Sequence, residues 1–323
     1  MKLKIDYKKY SILFVLAAMI ILFTIANPNF LTVKNLFNII AQNTYFVIAA
    51  VGMGLLMIGG GVDLALGFEL SLIGVVTAAL MTQQGWPVPA AIAAGIFLGA
   101  VNGAVNGFVV IKLRVLPLIA TLATCSVFKG LSYLISNAKT IRDFPKGFQA
   151  ISRAKLLGLP CDVWLMIAIV VLATFVLTKT YFGRYIFAVG SSENAARLAG
   201  IPTKLVQFSL YVICSILGAV AAVDMIAKAN AVNSSFGDGV EFTCVTASVI
   251  GGVSFQGGEG RIWGIVAGIF IVQILQNGMQ LAGWSTYAQY IVKGLILIGA
   301  VAFDEFQKIY SVRRALRAKE REA

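Results

Sequence analysis

The sequence predicts an all-α integral membrane protein with about ten transmembrane helices, one of them broken or re-entrant. Apolar residues make up 59% of the 323 residues and charged residues only 12%, and the mean hydropathy of +0.87 exceeds that of soluble proteins. Apolar runs long enough to cross a bilayer recur along the chain, and a glycine-rich interruption separates two of them. We expect residues 1–323 to form a single transmembrane domain with a basic tail at about 304–323.

Apolar runs near the membrane-spanning length predict the individual helices. The candidate spans lie at about 10–26, 44–60, 64–81, 89–111, 117–136, 162–180, 206–228, 240–257, 262–282 and 287–303. The first has the charge order of a signal peptide, but its apolar run is long and no convincing small-residue cleavage site follows. We therefore interpret it as an uncleaved span.

The distribution of basic residues predicts the orientation in the membrane. An even number of spans places both termini on one side, whose connections carry 17 Lys and Arg residues against 7 on the other side. Because cytoplasmic loops carry an excess of basic residues, we expect both termini in the cytoplasm. Basic residues beside apolar spans suit an anionic lipid surface, so we expect lipids and no nucleic acid as neighbours.

The second and third spans are separated by hardly any polar chain. Residues 58–67 hold three consecutive glycines and Asp63, with no room for an aqueous loop. Such a break is tolerated in a membrane where protein or a water-filled cavity supplies backbone partners, which favours a broken helix. The alternative is a tight cytoplasmic hairpin whose Asp63 meets lipid headgroups. Residues 250–260 repeat the Ile-Gly-Gly pattern, a weak indication of an internal duplication.

The longest internal polar segment, residues 183–204, lies on the cytoplasmic side in this topology. Ser191 or Ser192 can cap a short helix, Glu193 lies near its positive dipole end, and Gly200 ends it. A helix this short is marginal in water and needs a packing surface. The surface is either the protein itself, as for an ordinary loop helix, or a cytoplasmic partner.

Two spans carry glycines at steps of four residues. They are Gly95, Gly99, Gly103 and Gly107 on the fourth span and Gly260, Gly264 and Gly268 on the ninth. This spacing lines one helical face and lets backbones approach closely, so we expect these faces to pack inside the bundle.

Amide side chains form stripes on the same two spans. Gln273, Gln276, Asn277 and Gln280 share one face of the ninth span, and Asn102 and Asn106 lie one turn apart on the fourth. These amides either form hydrogen bonds between helices or line a water-filled path for an uncharged hydroxylated solute. Asp63 and Glu69 are acidic candidates for the same path.

Several chemistries are not expected from this sequence. The four cysteines lie singly and far apart, and histidine is missing, which disfavours metal sites and His-based acid–base chemistry. No GxxxxGK[ST] phosphate loop occurs, so ATP must be hydrolysed by another polypeptide. We therefore expect a transport subunit and not an enzyme, with no catalytic residue, metal or cofactor of its own.

Four motifs stand in order along the chain. They are Gly60-Gly-Val-Asp-Leu-Ala-Leu-Gly67; the run Gly103–Val110 leading to Lys112-Leu-Arg-Val-Leu-Pro117 and then Thr-Leu-Ala-Thr; Gly190-Ser-Ser-Glu-Asn-Ala-Ala-Arg-Leu-Ala-Gly-Ile; and Ile250-Gly-Gly-Val-Ser-Phe-Gln-Gly-Gly-Glu-Gly-Arg-Ile-Trp-Gly264. Together they resemble the permease subunits of ribose/xylose/galactoside-type ABC importers. The likeness runs from about residue 30 to about residue 299 and implies an ABC importer permease bundle.

The resemblance also implies partners and a location. Such a permease works with a second copy or a paralogue in the bacterial inner membrane. It also works with a cytoplasmic ATPase with two nucleotide-binding halves, which binds ATP and Mg, and with an extracytoplasmic sugar-binding protein. The segment at about 181–205 matches the family's coupling loop, and the residues expected to contact the ATPase are Gly190, Ser192, Glu193, Asn194, Ala195, Ala196, Arg197 and Gly200.

The function implied is ATP-driven import of a ribose-like monosaccharide. ATP-driven closure of the partner would rock the paired bundles from outward-open to inward-open. The family usually has Ser where this chain has Ala65, and Glu69 is an uncommon acid, which leaves the solute open. The alternatives are an ion-coupled secondary transporter that uses Asp63 and Glu69, a passive channel, and an ABC permease for nucleosides or branched-chain amino acids.

Overall fold

The computed structural model describes residues 20, 21, 23–25 and 27–322, and most of them form helices. In chain order the elements are α1 (Val33–Gln42), α2 (Thr44–Ile58), α3 (Leu66–Thr82), α4 (Val88–Ile111), α5 (Pro117–Ser136), β1 (Ile141–Arg142), α6 (Lys146–Arg153), β2 (Lys155–Leu156), β3 (Leu159–Pro160), α7 (Cys161–Lys179), α8 (Tyr181–Ser191), α9 (Glu193–Leu198), α10 (Thr203–Ala229), β4 (Ala231–Val232), α11 (Val240–Ile250), α12 (Ile262–Leu281) and α13 (Thr286–Glu322). The all-α membrane fold class is confirmed.

Within the described residues, six helices are long and apolar enough to cross a membrane. They are α4, α5, α7, α10, α12 and the part of α13 at Thr286–Phe306. Helices α1 and α2 pass the same test as a pair bent by 49°, and α3 and α11 are shorter apolar helices. Nine of the ten predicted spans thus contain an apolar helix. The span predicted at 10–26 lies largely outside the described residues.

Helix α1 and the span predicted at 240–257 differ from the sequence prediction. Helix α1 was not expected, although Thr32 accepts a hydrogen bond from the backbone N–H of Asn35 and caps it. The span predicted at 240–257 contains only the 11 residues of α11, because the chain turns at Gly251 and Gly252. A helix of that length rises only about 16 Å and does not cross a bilayer by itself.

Helix α2 forms the centre of the bundle. All its residues except Tyr45 are buried, and it packs against α10, α11, α12 and α7. Its apolar side chains belong to one core that also takes in α3 and α8. A helix that is apolar all round is expected to be buried on every side, as α2 is.

Glycine faces bring pairs of helices into backbone contact, as predicted. On the face of α4 that meets α10, a Cβ on Gly103 would lie 2.6 Å from the carbonyl oxygen of Tyr211. On α12, a Cβ on Gly268 would overlap the carbonyl oxygen of Ala247 in α11. Gly260 lies in the turn before α12, so it takes no part in that face.

The bundle has two distinct ends. At one, the loop end (137–160 and 230–239), β1 pairs antiparallel with β4 through Ile141 and Val232, and the side chain of Asn230 accepts from the N–H of Phe144 at 3.1 Å. At the other, the island end (59–61, 180–204 and 251–261), lie α8, α9 and two glycine-rich turns. Helix α10 separates the two ends by 27 residues, about 40 Å.

Candidate functional site

Helix α9 forms at the place that the sequence predicts for the short polar helix. It runs from Glu193 to Leu198, and the side chain of Ser192 accepts from the N–H of Ala195 at 3.3 Å, as an N-cap does. At its end the N–H of Gly200 donates to the carbonyl of Arg197, and the next N–H donates to Ala196, both at 3.0 Å. This pair of bonds is the Schellman motif, which Gly200 permits with a φ of 80°.

Almost all of α9 is open to solvent. Ala196 is the one residue between 191 and 200 that is buried, and Leu198 is 89% exposed. The Nη2 of Arg197 donates to Oδ1 of Asn194 at 3.0 Å, so the polar side chains lie along the helix surface. A helix of six residues with so little contact to its own chain has a free surface for a partner.

Helix α8, which sequence reasoning missed, presents α9 at the end of the bundle. It starts at a Thr180 cap, where the side chain accepts from the N–H of Gly183 at 3.2 Å. Val189 and Ile186 pack it into the core. The guanidinium of Arg184 lies over the ring of Tyr181, 4.1 Å from its centre. Two signals in the sequence could have predicted α8: the capping residue Thr180 and the three-residue spacing of the apolar Ile186 and Val189.

The predicted acidic residues meet one predicted amide inside the bundle. The Nδ2 of Asn106 donates to Oδ2 of Asp63 and to Oε1 of Glu69, both at 2.9 Å. All three side chains are fully buried. Oδ1 of Asp63 also accepts from the N–H of Ala65 at 2.9 Å, which orders the entry into α3. Asp63 therefore lies inside the protein and not among headgroups.

The amide stripe of α12 divides into residues with different surroundings. Asn277 and Asn35 of α1 exchange two side-chain hydrogen bonds, at 2.8 and 3.2 Å. Gln273 is buried, as is Asn102 on α4, whereas Gln280 is exposed. Gln276 faces a cavity, and its buried Oε1 has no hydrogen-bond partner among the residues that the structure describes.

The cavity beside Gln276 has a volume of about 460 Å³ and lies between α2, α11, α12 and α13 towards the loop end. Its lining combines aromatic rings with a few polar groups. The rings are those of Tyr45, Phe46, Phe236, Phe242 and Tyr290, and the polar groups are those of Asp238, Thr243, Thr246, Gln276 and Lys293. Ligand pockets in proteins typically have this size and this mixture of apolar walls and few polar groups.

Of the lining residues, the sequence prediction had named only Gln276. The others named above come from α2, α11, α13 and the loop before α11, and their common position depends on the tertiary fold. One local signal existed: Thr243 and Thr246 lie at i and i+3 on α11, whose other residues are apolar except Glu241 and Ser248. This spacing puts two hydroxyl groups on one face.

Comparisons with known proteins give a consistent family. The family described as branched-chain amino acid transport system / permease component matches residues 35–301. The L-arabinose transport system permease protein of Escherichia coli (strain K12) is 36% identical over 304 residues, covering 94% of this chain and 92% of that protein. The ribose import permease protein of the same strain is 37% identical over 300 residues (90% and 92%), and its D-allose transport system permease protein is 33% identical over 299 residues (92% and 92%). No solved structure matches.

Proposed function

The chain belongs to the family of branched-chain amino acid transport system permease components, and we propose that it carries a monosaccharide as the membrane subunit of an ATP-driven ABC importer. It is a multi-pass membrane protein. The observation that carries the proposal is the similarity to three sugar permeases across nine tenths or more of both chains. A likeness of that extent covers the whole membrane bundle and not an isolated motif.

We infer that α9 is the docking site for a separate ATPase, which binds and hydrolyses ATP with Mg. The support is local: α9 is capped at both ends, stands at one end of the bundle, and leaves Leu198 almost fully exposed. The island end then faces the cytoplasm, with both termini on that side. The protein works as a pair of permease chains in the bacterial inner membrane, and an extracytoplasmic binding protein delivers the solute at the loop end.

We assign the cavity beside Gln276 to the route of the solute. The faces of Tyr45, Phe236 and Phe242 can pack against the C–H faces of a sugar ring, while Gln276 and Thr243 offer hydrogen bonds to its hydroxyl groups. The cavity lies towards the loop end, where the solute would arrive. ATP-driven movement of the paired bundles would then open the route towards the island end.

A second solute class is favoured by the charges in the cavity. Asp238 and Lys293 line it together with the aromatic rings, and a carboxylate with an ammonium group could meet the two charges of a zwitterionic amino acid. The description of the family also names branched-chain amino acids. The proposal for a sugar is therefore tested against an amino acid in the same assay.

The experiment is radiolabelled uptake into proteoliposomes that contain this chain, its ATPase and its binding protein, with and without internal ATP. Ribose, arabinose and allose form the sugar panel, and leucine is the competing solute. We expect sugar uptake that requires ATP and both partners. Uptake of leucine and of no sugar would replace the sugar assignment. Uptake by this chain without partners, driven by an imposed ion gradient, would overturn the proposal of an ATP-driven importer.

A further inference from the structure

The two Ile-Gly-Gly sequences end two helices in the same way. After α2, the N–H of Gly60 donates to the carbonyl of Met57 and the next N–H to that of Leu56, at 2.9 and 3.0 Å. After α11, the N–H of Gly252 donates to the carbonyl of Val249 and the next N–H to Ser248, both at 2.9 Å. Both turns are Schellman motifs, with φ values of 84° at Gly60 and 85° at Gly252.

The end of α2 is bonded at the island end to the segment that follows the second turn. The N–H of Gly258, in the segment that follows α11, donates to the carbonyl of Ile58 at the end of α2, at 2.8 Å. A Cβ on Gly257 would lie 2.9 Å from the Cα of Gly60. These segments approach through their backbones, and side chains do not separate them.

The last turn of α8 lies directly on this junction. A Cβ on Gly190 would overlap the carbonyl oxygen of Ile58 and lie 2.5 Å from the backbone nitrogen of Gly258. Ser191 is in contact in the same way, since a Cβ on Gly258 would lie 2.8 Å from its Cα. The next residue, Ser192, already caps α9. A displacement of α9 therefore reaches the end of α2 and the segment that follows α11 through two residues of backbone.

We propose that Gly190, Gly257 and Gly258 are positioning residues. They make α9 move as one unit with the ends of α2 and α11. They form a glycine joint through which the docked ATPase acts on α2 and α11 together. This inference rests on the proposed function, because α9 must be the docking surface. Close-packed backbones transmit a displacement with little loss, since no flexible side chain lies between them. Both connected helices line the cavity assigned to the solute.

The decisive variant is Gly257→Ala in the assembled complex with its ATPase and binding protein. The added methyl group would lie 2.9 Å from the Cα of Gly60 and from the carbonyl oxygen of Gly190, so the segment after α11 must shift off the joint while α9 keeps its own caps and surface. We expect the ATPase to co-purify and hydrolyse ATP as with the unaltered chain, and the ratio of solute imported to ATP hydrolysed to fall tenfold or more. Gly283→Ala is the matched control, because Gly283 also has a positive φ, 76° against 89° at Gly257, and has open space around it.

A second measurement does not depend on the folding of the variant. Amide hydrogen exchange of the unaltered complex, with and without a non-hydrolysable ATP analogue, should change at residues 59–61 and 251–260 together. A change at one segment without the other would overturn the joint, as would an unchanged import ratio in Gly257→Ala. If the unaltered complex shows no ATPase association or no ATP-driven uptake, the proposed function fails and the joint fails with it.

Discussion

Lys228 at the end of α10 forms an ion pair with Asp162 at the start of α7, with 2.8 Å between Nζ and Oδ2. The ammonium group also donates to Oδ2 of Asp224 at 3.1 Å and to the hydroxyl of Thr44 at the start of α2. The side chain of Asp162 is 1% exposed and that of Lys228 is 19% exposed. Three helices therefore meet at one cation at the loop end.

We predict that Lys228→Met lowers the thermal stability of the purified protein markedly. The substitution leaves the carboxylates of Asp162 and Asp224 buried without their cation, and breaking a buried pair in this way costs about 3–5 kcal/mol. The measurement is the Tm in detergent, with Lys155→Met as the control because Lys155 is exposed at the same end. Adding Asp162→Asn to Lys228→Met should recover part of the loss. An unchanged Tm would contradict a structural role for the pair.

We predict that Leu198→Glu removes the ATPase without unfolding the permease. Leu198 is 89% exposed, so its own chain gains little from it, whereas an apolar anchor at a docking surface contributes about 2 kcal/mol or more. Affinity for the ATPase, measured by co-purification and titration, should fall tenfold or more. Glu193→Ala with Arg197→Ala should cause a smaller loss, because exposed charges at an interface contribute less.

The control for that prediction is Leu157→Glu. Leu157 is 85% exposed and lies at the loop end, far from α9. It matches Leu198 in residue type, exposure and the charge introduced. Equal losses in the two variants would show a general effect of the charge and would remove the argument for docking at α9.

Local sequence signals were sufficient for α9 and for most spans. Ser192 and Gly200 act through hydrogen bonds to neighbours in sequence, and a long apolar run has one stable form in a bilayer. The cavity and the Asn35–Asn277 pair could not be predicted in this way. They join residues far apart in the chain, and the amide spacing on α12 is the same whether an amide meets another helix or a cavity.

We predict that Gln276→Leu and Asn277→Leu separate function from packing. Gln276 lines the cavity, and its Oε1 has no hydrogen-bond partner within the part of the chain that the structure describes, so Gln276→Leu should slow uptake several-fold while expression and Tm stay near those of the unaltered protein. Asn277 bonds to Asn35 and both side chains are half-buried, so Asn277→Leu should lower the Tm by an amount that corresponds to about 0.5–1.5 kcal/mol of stability, the net contribution of a typical hydrogen bond. Uptake per folded molecule of Asn277→Leu should be nearly unchanged. Slower uptake in Asn277→Leu together with a lower Tm in Gln276→Leu would place the solute route elsewhere.

We predict that Glu69→Gln retains ATP-driven uptake within about threefold, a change of less than about 1 kcal/mol. The Gln side chain keeps the oxygen that accepts from Asn106, whereas an ion-coupled transporter would lose the carboxylate that binds its ion. Glu69→Ala is the comparison, since it removes the acceptor and should lower the Tm without changing the need for ATP. Loss of uptake in Glu69→Gln at normal expression, together with uptake by the unaltered chain under an ion gradient alone, would favour ion coupling. In the proposed importer the ATPase supplies the energy through α9, so uptake requires no titrating group in the bundle, and the carboxyl group of Glu69 holds α3 against α4 through its hydrogen bond with Asn106.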